Sequence, residues 1–172
     1  MVDDKKVQFS TIYDQYIDKI YRFVYLKVSS QEIAEDITSK VFLKGWESYS
    51  KQSDIVNPGA FLYRIASNAV IDHYREKGKM KVVSTEMAPQ IVDGRTSIHE
   101  SAILSSDVLI VRSAIQNIKE EYKDIIIWHY LDGMDVKEIA DIIEKPAGTV
   151  RVMLHRGLKA LKDELKGKIQ EA

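Results

Sequence analysis

The chain has 172 residues, and its 45% hydrophobic content is enough for one packed domain or two small ones. It has no cysteine, which excludes a disulfide framework and a thiolate metal site, and its four histidines are scattered without ligand spacing. No apolar run approaches the roughly 18 residues of a membrane span, and the first ten residues lack the apolar core of a signal peptide. We therefore expect a cytoplasmic protein with no membrane insertion, no metal and no cofactor.

Charge is distributed unevenly along the chain. The formal net charge is −1, yet Lys145 to Lys168 contain seven Lys or Arg against two Asp or Glu. A protein that binds DNA unaided usually has a broader basic surface, because phosphate neutralisation supplies most of the non-specific affinity. We therefore expect this chain to bind DNA weakly by itself, with a larger partner holding it in place.

Two amphipathic helices are predicted in the N-terminal part of the chain. Apolar side chains recur every three or four residues over 8–28 and again from 33 to about 49. Ser29 and Glu32 have the capping-box spacing that starts the second helix. The other face of this helix is mostly polar but includes Leu43, so it is either a solvated surface or a protein contact.

A third helix is predicted from Pro58 to about Lys77. Asn57 is expected to be its N-cap, and Gly78 is expected to end it. A mostly polar stripe along this helix is either a plain soluble surface, or a surface that holds a phosphate backbone and reads a base edge. The stripe contains Arg64, Asn68 and Arg75.

A flexible linker is predicted over residues 78–97, which lose helical periodicity and contain one proline and two glycines. Twenty extended residues reach at most roughly 70 Å, or about two turns of B-DNA at roughly 34 Å per turn. No strand alternation stands out. The predicted fold is therefore all-α, with two small helical domains at 1–77 and 98–172.

The second predicted domain ends in a helix-turn-helix between Asp135 and Lys166. Two helices precede it, one ending near Asn117 and one running from Lys119 to Asp132, where Gly133 closes it. Asp135 and Glu138 have capping-box spacing for the first helix of the motif. Pro146 stops that helix and suits the first turn of the next. In a helix-turn-helix the second helix enters the DNA major groove, although a helical hairpin with a solvated basic face has the same pattern.

Three stretches in this order resemble the extracytoplasmic-function (ECF) group of bacterial RNA polymerase sigma factors. AEDITSKVFLKGWESY resembles the core-polymerase-binding helix of that family. NPGAFLYRIASNAVIDHYREK resembles its −10-recognition helix, and IKEEYKDIIIWHYLDGMDVKEIADIIEKPAGTVRVMLHRGLKAL its −35-reading domain. The likeness covers nearly the whole chain apart from the linker. It implies a two-domain initiation factor that directs RNA polymerase to a promoter.

The resemblance also implies three groups of contact residues. The group facing the clamp helices of the largest polymerase subunit is Asp36, Ser39, Lys40 and Leu43. The group at the −10 element, where a flipped base lies beside Asn68, is Arg64, Asn68 and Arg75. The group at the −35 element is Thr149, Arg151, Val152, His155, Arg156 and Lys159. The flap of the second-largest subunit, promoter DNA and an anti-sigma factor are further partners implied by resemblance alone.

Three positions depart from the family pattern. Glu144 stands where the family usually has glycine in the turn, and we expect a positive φ there. Val152 occupies a position that is often serine; valine can meet a thymine methyl but donates no hydrogen bond. Ser39 and Lys40 replace a Gln-Glu pair, which changes an acidic position to a basic one.

Two other classes of protein are the alternatives. A free-standing helix-turn-helix regulator would bind DNA tightly without polymerase, usually as a dimer on a palindrome. An enzyme has little support, since the chain has no phosphate-binding glycine loop, no GxSxG, no HExxH and no carboxylates at catalytic spacing.

Overall fold

The computed structural model describes residues 2–28, 30–52, 54–83 and 106–171. These residues form helices and no strand, so the predicted all-α class is confirmed. The helices are α1 (Val2–Lys27), α2 (Gln31–Lys51), α3 (Pro58–Val83), α4 (Ser106–Asn117), α5 (Glu120–Ile126), α6 (Val136–Ile143) and α7 (Ala147–Glu171). The chain divides into two compact units, Met1–Glu100 and Ser101–Ala172.

The first unit is built from α1, α2 and α3, each of which packs against the other two. Its core is formed by the apolar faces that the helical periodicity predicts. The side chains with no exposed surface include Ile20, Phe23, Val24, Val28, Ala34, Val41, Leu62, Tyr63 and Ala66. Asn57 begins α3 as predicted, because its side-chain Oδ1 accepts the Ala60 N–H at 3.0 Å.

Two predicted helix ends in this unit are wrong. The N-cap of α2 is Ser30 rather than Ser29, since the Ser30 hydroxyl accepts the Ile33 N–H at 3.1 Å. Helix α3 continues through Gly78 to Val83, so the first residues of the predicted linker are helical. Glycine ends a helix by adopting a positive φ, which Gly78 does not do, and within an exposed helix it costs only about 1 kcal/mol relative to alanine. The rest of the predicted linker, and the predicted domain start at 98, lie outside the described residues.

The second unit is built from α4 to α7, with α7 packing against each of the other three helices. Helix α5 continues as a π-helical turn, Ile127–Leu131, and Gly133 follows with φ +70, as predicted for a helix-closing glycine. The most buried side chains of this unit are Ala114, Ile115, Ile125, Ile126, Ile127, Trp128, Ile139 and Val150. Near the end of α7, Lys168 Nζ donates to Ser113 Oγ of α4 at 2.7 Å.

Candidate nucleic-acid and polymerase interfaces

Helix α6 begins with the predicted capping box. The Glu138 N–H donates to Asp135 Oδ1 at 2.8 Å, and the Asp135 N–H donates to Glu138 Oε2 at 3.0 Å. Two backbone donors that have no partner inside the helix are thereby satisfied. Ile139, just inside the cap, is fully buried, so the start of α6 is held in place by both the cap and the core.

The turn between α6 and α7 contains a strained residue. Glu144 has φ 57 and ψ 45, and it is the only non-glycine residue with positive φ in the described part of the chain. The Lys145 N–H donates to the Ala140 carbonyl, five residues earlier, at 3.2 Å. A hydrogen bond with this spacing is characteristic of a Schellman-type helix end. The Pro146 carbonyl then accepts the Val150 N–H at 3.2 Å and starts α7. The expected positive φ at Glu144 is therefore confirmed.

Helix α7 has a buried face and an exposed basic face. Val150 and Leu154 are buried as predicted, and Leu161 is half-buried. Gly157 is also buried: a Cβ added there would lie 3.1 Å from Tyr122 Cβ and 3.2 Å from Ile126 Cγ1. This glycine lets α7 approach α5 closely. The periodicity argument missed it, since a glycine carries no apolar signal.

The exposed face of α7 presents all the side chains that the resemblance assigns to the −35 element. The six exposed residues are Thr149, Arg151, Val152, His155, Arg156 and Lys159. Val152 is 48% exposed although it is apolar, while its neighbours along this face are polar or charged. The face therefore combines cationic groups with one methyl-bearing side chain that a groove of DNA can cover.

The outward face of α2 presents the four residues assigned to polymerase. Asp36, Ser39, Lys40 and Leu43 are all exposed, and Leu43 is 61% exposed. Lys40 Nζ lies 2.9 Å from Asp36 Oδ2 on the next turn of the helix. The hydrogen bond that Lys40 donates to Asp36 and the negative charge of Asp36 raise the pKa of Lys40, which therefore stays cationic. The basic residue at this position is thus paired within its own helix.

The stripe on α3 is exposed as predicted. Arg64, Asn68 and Arg75 recur at intervals of four and seven residues and lie on one solvent-facing surface. Arg75 Nη1 is 3.9 Å from Asp72 Oδ1, a loose ion pair between two exposed side chains. In the loop that precedes α3, Val56 is 96% exposed. The exposed face of α3 therefore carries two arginines and an amide.

Two tyrosines of α3 are held by the protein itself. Tyr63 has no exposed surface and packs edge-on against Phe23, with ring centroids 5.7 Å apart. The Tyr74 hydroxyl donates to the Lys27 carbonyl of α1. Tyr63 is therefore part of the core, whereas Tyr74 is 40% exposed.

Sequence reasoning missed a groove between α1 and α2. Its lining is aromatic at the base and polar at the edge, and it is formed by Lys6, Phe9, Ser10, Tyr13 and Trp46. Periodicity assigned the aromatic rings to the core, but Tyr13 is 42% exposed and Trp46 is only half-buried. Lys6 and Ser10 lie on the same face of α1 as Phe9 and Tyr13. These two polar residues were the sequence signal that this part of the face is exposed.

None of the described helices is long and apolar enough to cross a membrane. Within the described ranges, no group of three or more His, Asp or Glu side chains is placed to hold a metal ion.

Comparison with known proteins identifies both units. Residues 12–80 match the family Sigma-70 region 2, and residues 109–161 match the family Sigma-70, region 4. Over 168 residues the chain is 32% identical to the ECF RNA polymerase sigma factor SigW of Bacillus subtilis, and the match covers 92% of this chain and 89% of SigW. It is 28% identical over 159 residues to the sigma factor BldN of Streptomyces coelicolor, covering 89% of this chain and 58% of BldN.

The fold is also similar to a solved structure, the sigma factor RpoE of Bartonella quintana in complex with the anti-sigma factor NepR. The TM-score is 0.76 at 21% identity, over 92% of this chain and 97% of that one. Two regions that define RNA polymerase sigma factors therefore occur together in the expected order. The chain belongs to the ECF RNA polymerase sigma factors, which are transcription initiation factors and not enzymes.

Proposed function

We propose that this protein is an alternative sigma factor that binds core RNA polymerase and directs it to promoters through their −10 and −35 elements. The observation that supports the proposal is the pairing of region 2 and region 4 in one chain. Each region exposes a surface of suitable chemistry. We assign polymerase binding and −10 recognition to the first unit as far as the end of α3 at Val83, −35 recognition to residues 98–172, and a linker to the residues between them. The working compartment is the cytoplasm, where bacterial polymerase meets DNA.

At the −35 element, α7 enters the major groove with its exposed face towards the bases. Arg151 and Arg156 can each take guanine O6 and N7 in a bidentate pair, which discriminates by roughly 1–3 kcal/mol. Val152 offers its methyl groups to a thymine methyl and cannot donate a hydrogen bond. Thr149, close to the amide-rich start of the helix, and Lys159, further along, hold phosphates and set the register.

At the −10 element, the α3 stripe receives single-stranded DNA. Asn68 has an amide that can both donate to and accept from a base edge, and it is exposed between two arginines that hold the backbone. An unpaired base offers edges and faces that a duplex hides. We assign Arg64 and Arg75 to the phosphates and Asn68 to a flipped base, beneath the loop that carries Val56.

The polymerase contact is assigned to the outward face of α2. Leu43 supplies an apolar anchor, and Asp36, Ser39 and Lys40 supply a polar rim around it, as in protein interfaces generally. The partner surface is the clamp-helix pair of the largest subunit, with the flap of the second-largest subunit for the C-terminal unit. The structure of RpoE contains an anti-sigma factor, and we propose that this chain also has such an inhibitor.

Run-off transcription with core polymerase tests the function. The wild-type chain should give a promoter-specific transcript and should co-elute with core on a sizing column. Asn68→Ala should lower the transcript while leaving co-elution intact, and Leu43→Asp should weaken co-elution. A free-standing regulator would instead shift promoter DNA tightly without polymerase. The proposal fails if the wild type neither co-elutes with core nor gives a specific transcript on any candidate promoter.

A further inference from the structure

The groove between α1 and α2 is separate from the residues that we assign to DNA. It has a volume of about 350 Å³ and lies open at the surface. Its aromatic rings pack against one another, with the ring centroids of Phe9 and Trp46 5.4 Å apart and those of Tyr13 and Phe42 4.8 Å apart. A pre-formed apolar groove of this kind is typical of a binding site for a side chain or a small molecule.

The groove adjoins the face of α2 that we assign to polymerase. Ser39, Leu43 and Trp46 follow one another at steps of four and three residues, so they lie along one line of the helix surface. Leu43, the exposed apolar residue of the assigned face, is therefore the direct neighbour of the groove. The groove residue Trp46 thus lies one helical turn from Leu43 on the surface of α2.

The charge at the groove favours a protein partner over a nucleic acid. Of the five lining residues, all within the described part of the chain, only Lys6 carries a charge. A single cation beside aromatic rings is complementary to a partner surface that presents one carboxylate next to an apolar side chain. A nucleic-acid backbone calls for several cations in a row, and the groove lining supplies only one.

We propose that the groove receives an apolar side chain from an amphipathic helix of core RNA polymerase, and that the same helix presents a carboxylate to Lys6. The polymerase-binding surface then spans α2 and α1 instead of α2 alone. This inference rests on the proposed sigma-factor function. It adds a second anchor to the interface, where buried apolar pockets usually carry most of the binding energy.

Thiol protection tests whether polymerase covers the groove. The chain has no cysteine, so Ser10→Cys and Gln15→Cys each place a single thiol on an exposed position of α1, the first in the groove and the second away from it. Core polymerase should slow maleimide labelling of Ser10→Cys by about tenfold or more and leave Gln15→Cys nearly unchanged, since interface cores exclude water. Equal labelling of Ser10→Cys with and without saturating core overturns the inference.

Affinity for core polymerase gives an independent test. Ser10→Trp fills the groove and should weaken binding by about tenfold or more, whereas the matched Gln15→Trp should not. Lys6→Glu should weaken binding to core polymerase, whereas Lys6→Arg, which keeps the positive charge, should bind as well as the wild type. Circular dichroism melts confirm that each variant is folded.

The two proposals fail in different ways. If the wild-type chain does not bind core polymerase, the proposed function itself is wrong. If the wild type binds and Leu43→Asp weakens binding while Ser10→Trp and Lys6→Glu do not, only the groove inference is wrong, and the groove serves another ligand.

Discussion

At the scale of single residues, our proposal divides the exposed side chains of α7 into those that read sequence and those that set position. Arg151 and Val152 lie near the start of the helix, where a recognition helix meets base edges. Lys159 lies two turns further on, exposed on the same side. Arg151 and Lys159 are both exposed cations in the isolated protein. We expect their roles to differ only when the helix lies in the groove of DNA.

Substitution of each cation should separate the two roles. We expect Arg151→Ala to reduce holoenzyme binding by an amount that depends on the −35 sequence, about 1–3 kcal/mol on a matched element. Lys159→Ala should weaken binding about equally on all sequences and lower the salt slope by about 1. Gel shifts of holoenzyme on matched and mismatched −35 elements provide the measurement. Equal losses on both elements for both variants would contradict the assignment.

A second residue-scale effect concerns His73, half-buried on α3. Burial is the main cause that lowers its pKa from 6.5, with a further contribution from Lys77. Lys40 of α2 lowers the pKa as well, while Glu76 and Asp36 act in the opposite direction. The folded state therefore favours the neutral imidazole, so the unfolded state binds more protons just below pH 6.5.

Stability should consequently fall as the pH falls from about 6.5 through the lower folded pKa. His73→Asn removes this titration. We expect the free energy of unfolding of this variant to change less between about pH 7 and about pH 5 than that of the wild type, as measured by urea denaturation. Parallel pH profiles for the two proteins would show that His73 contributes nothing.

At the scale of elements, the turn between α6 and α7 shows how local patterns and local strain coexist. The capping box and the proline mark the limits of the two helices, and both act as the sequence indicates. Between them, Glu144 adopts a left-handed conformation that costs an L-residue roughly 1–2 kcal/mol. Glycine would avoid that cost at a smaller entropic penalty.

Glu144→Gly should therefore stabilise the protein by roughly 0.5 to 1 kcal/mol. Glu144→Ala is the matched control, because it removes the same carboxylate but retains the strained φ. Thermal or chemical unfolding of the full chain measures the difference between the two variants. If the glycine variant is no more stable than the alanine variant, the positive φ carries no measurable strain.

At the scale of the whole molecule, charge explains why a sigma factor needs polymerase. The net charge is −1, and the basic surface is concentrated on one helix. Counterion release from a few phosphates supplies limited affinity, and that affinity falls steeply with salt. We assign the −10 and −35 contacts to the two separate units, and we therefore expect polymerase to contribute both affinity and the spacing between them.

The free chain should accordingly bind promoter DNA only weakly at physiological salt and show little preference for promoter sequence. Holoenzyme formed with the same chain should prefer promoter over random DNA by about a thousandfold or more, the range of specific DNA-binding proteins. Filter binding across a salt series compares the two. Tight, sequence-specific binding by the free chain would instead support a self-sufficient regulator.

Local sequence patterns determined the helices, their caps at Asn57 and Asp135, and the exposed face of α7, because these depend on periodicity and on neighbours within one turn. The positive φ at Glu144 was also foreseeable, because the family that the chain resembles usually has glycine at this position. Gly78 shows the limit of such signals: it ends a helix only if the following chain turns away, and here the chain continues as helix.

Tertiary packing decided the remaining features. Gly157 is buried because α5 approaches α7 there, and no pattern within α7 contains that neighbour. The aromatic groove exists because Tyr13 and Trp46 lie at the edge of the contact between two helices instead of at its centre. Periodicity shows which side chains are apolar and share a face, but the depth of their burial depends on how closely another helix approaches.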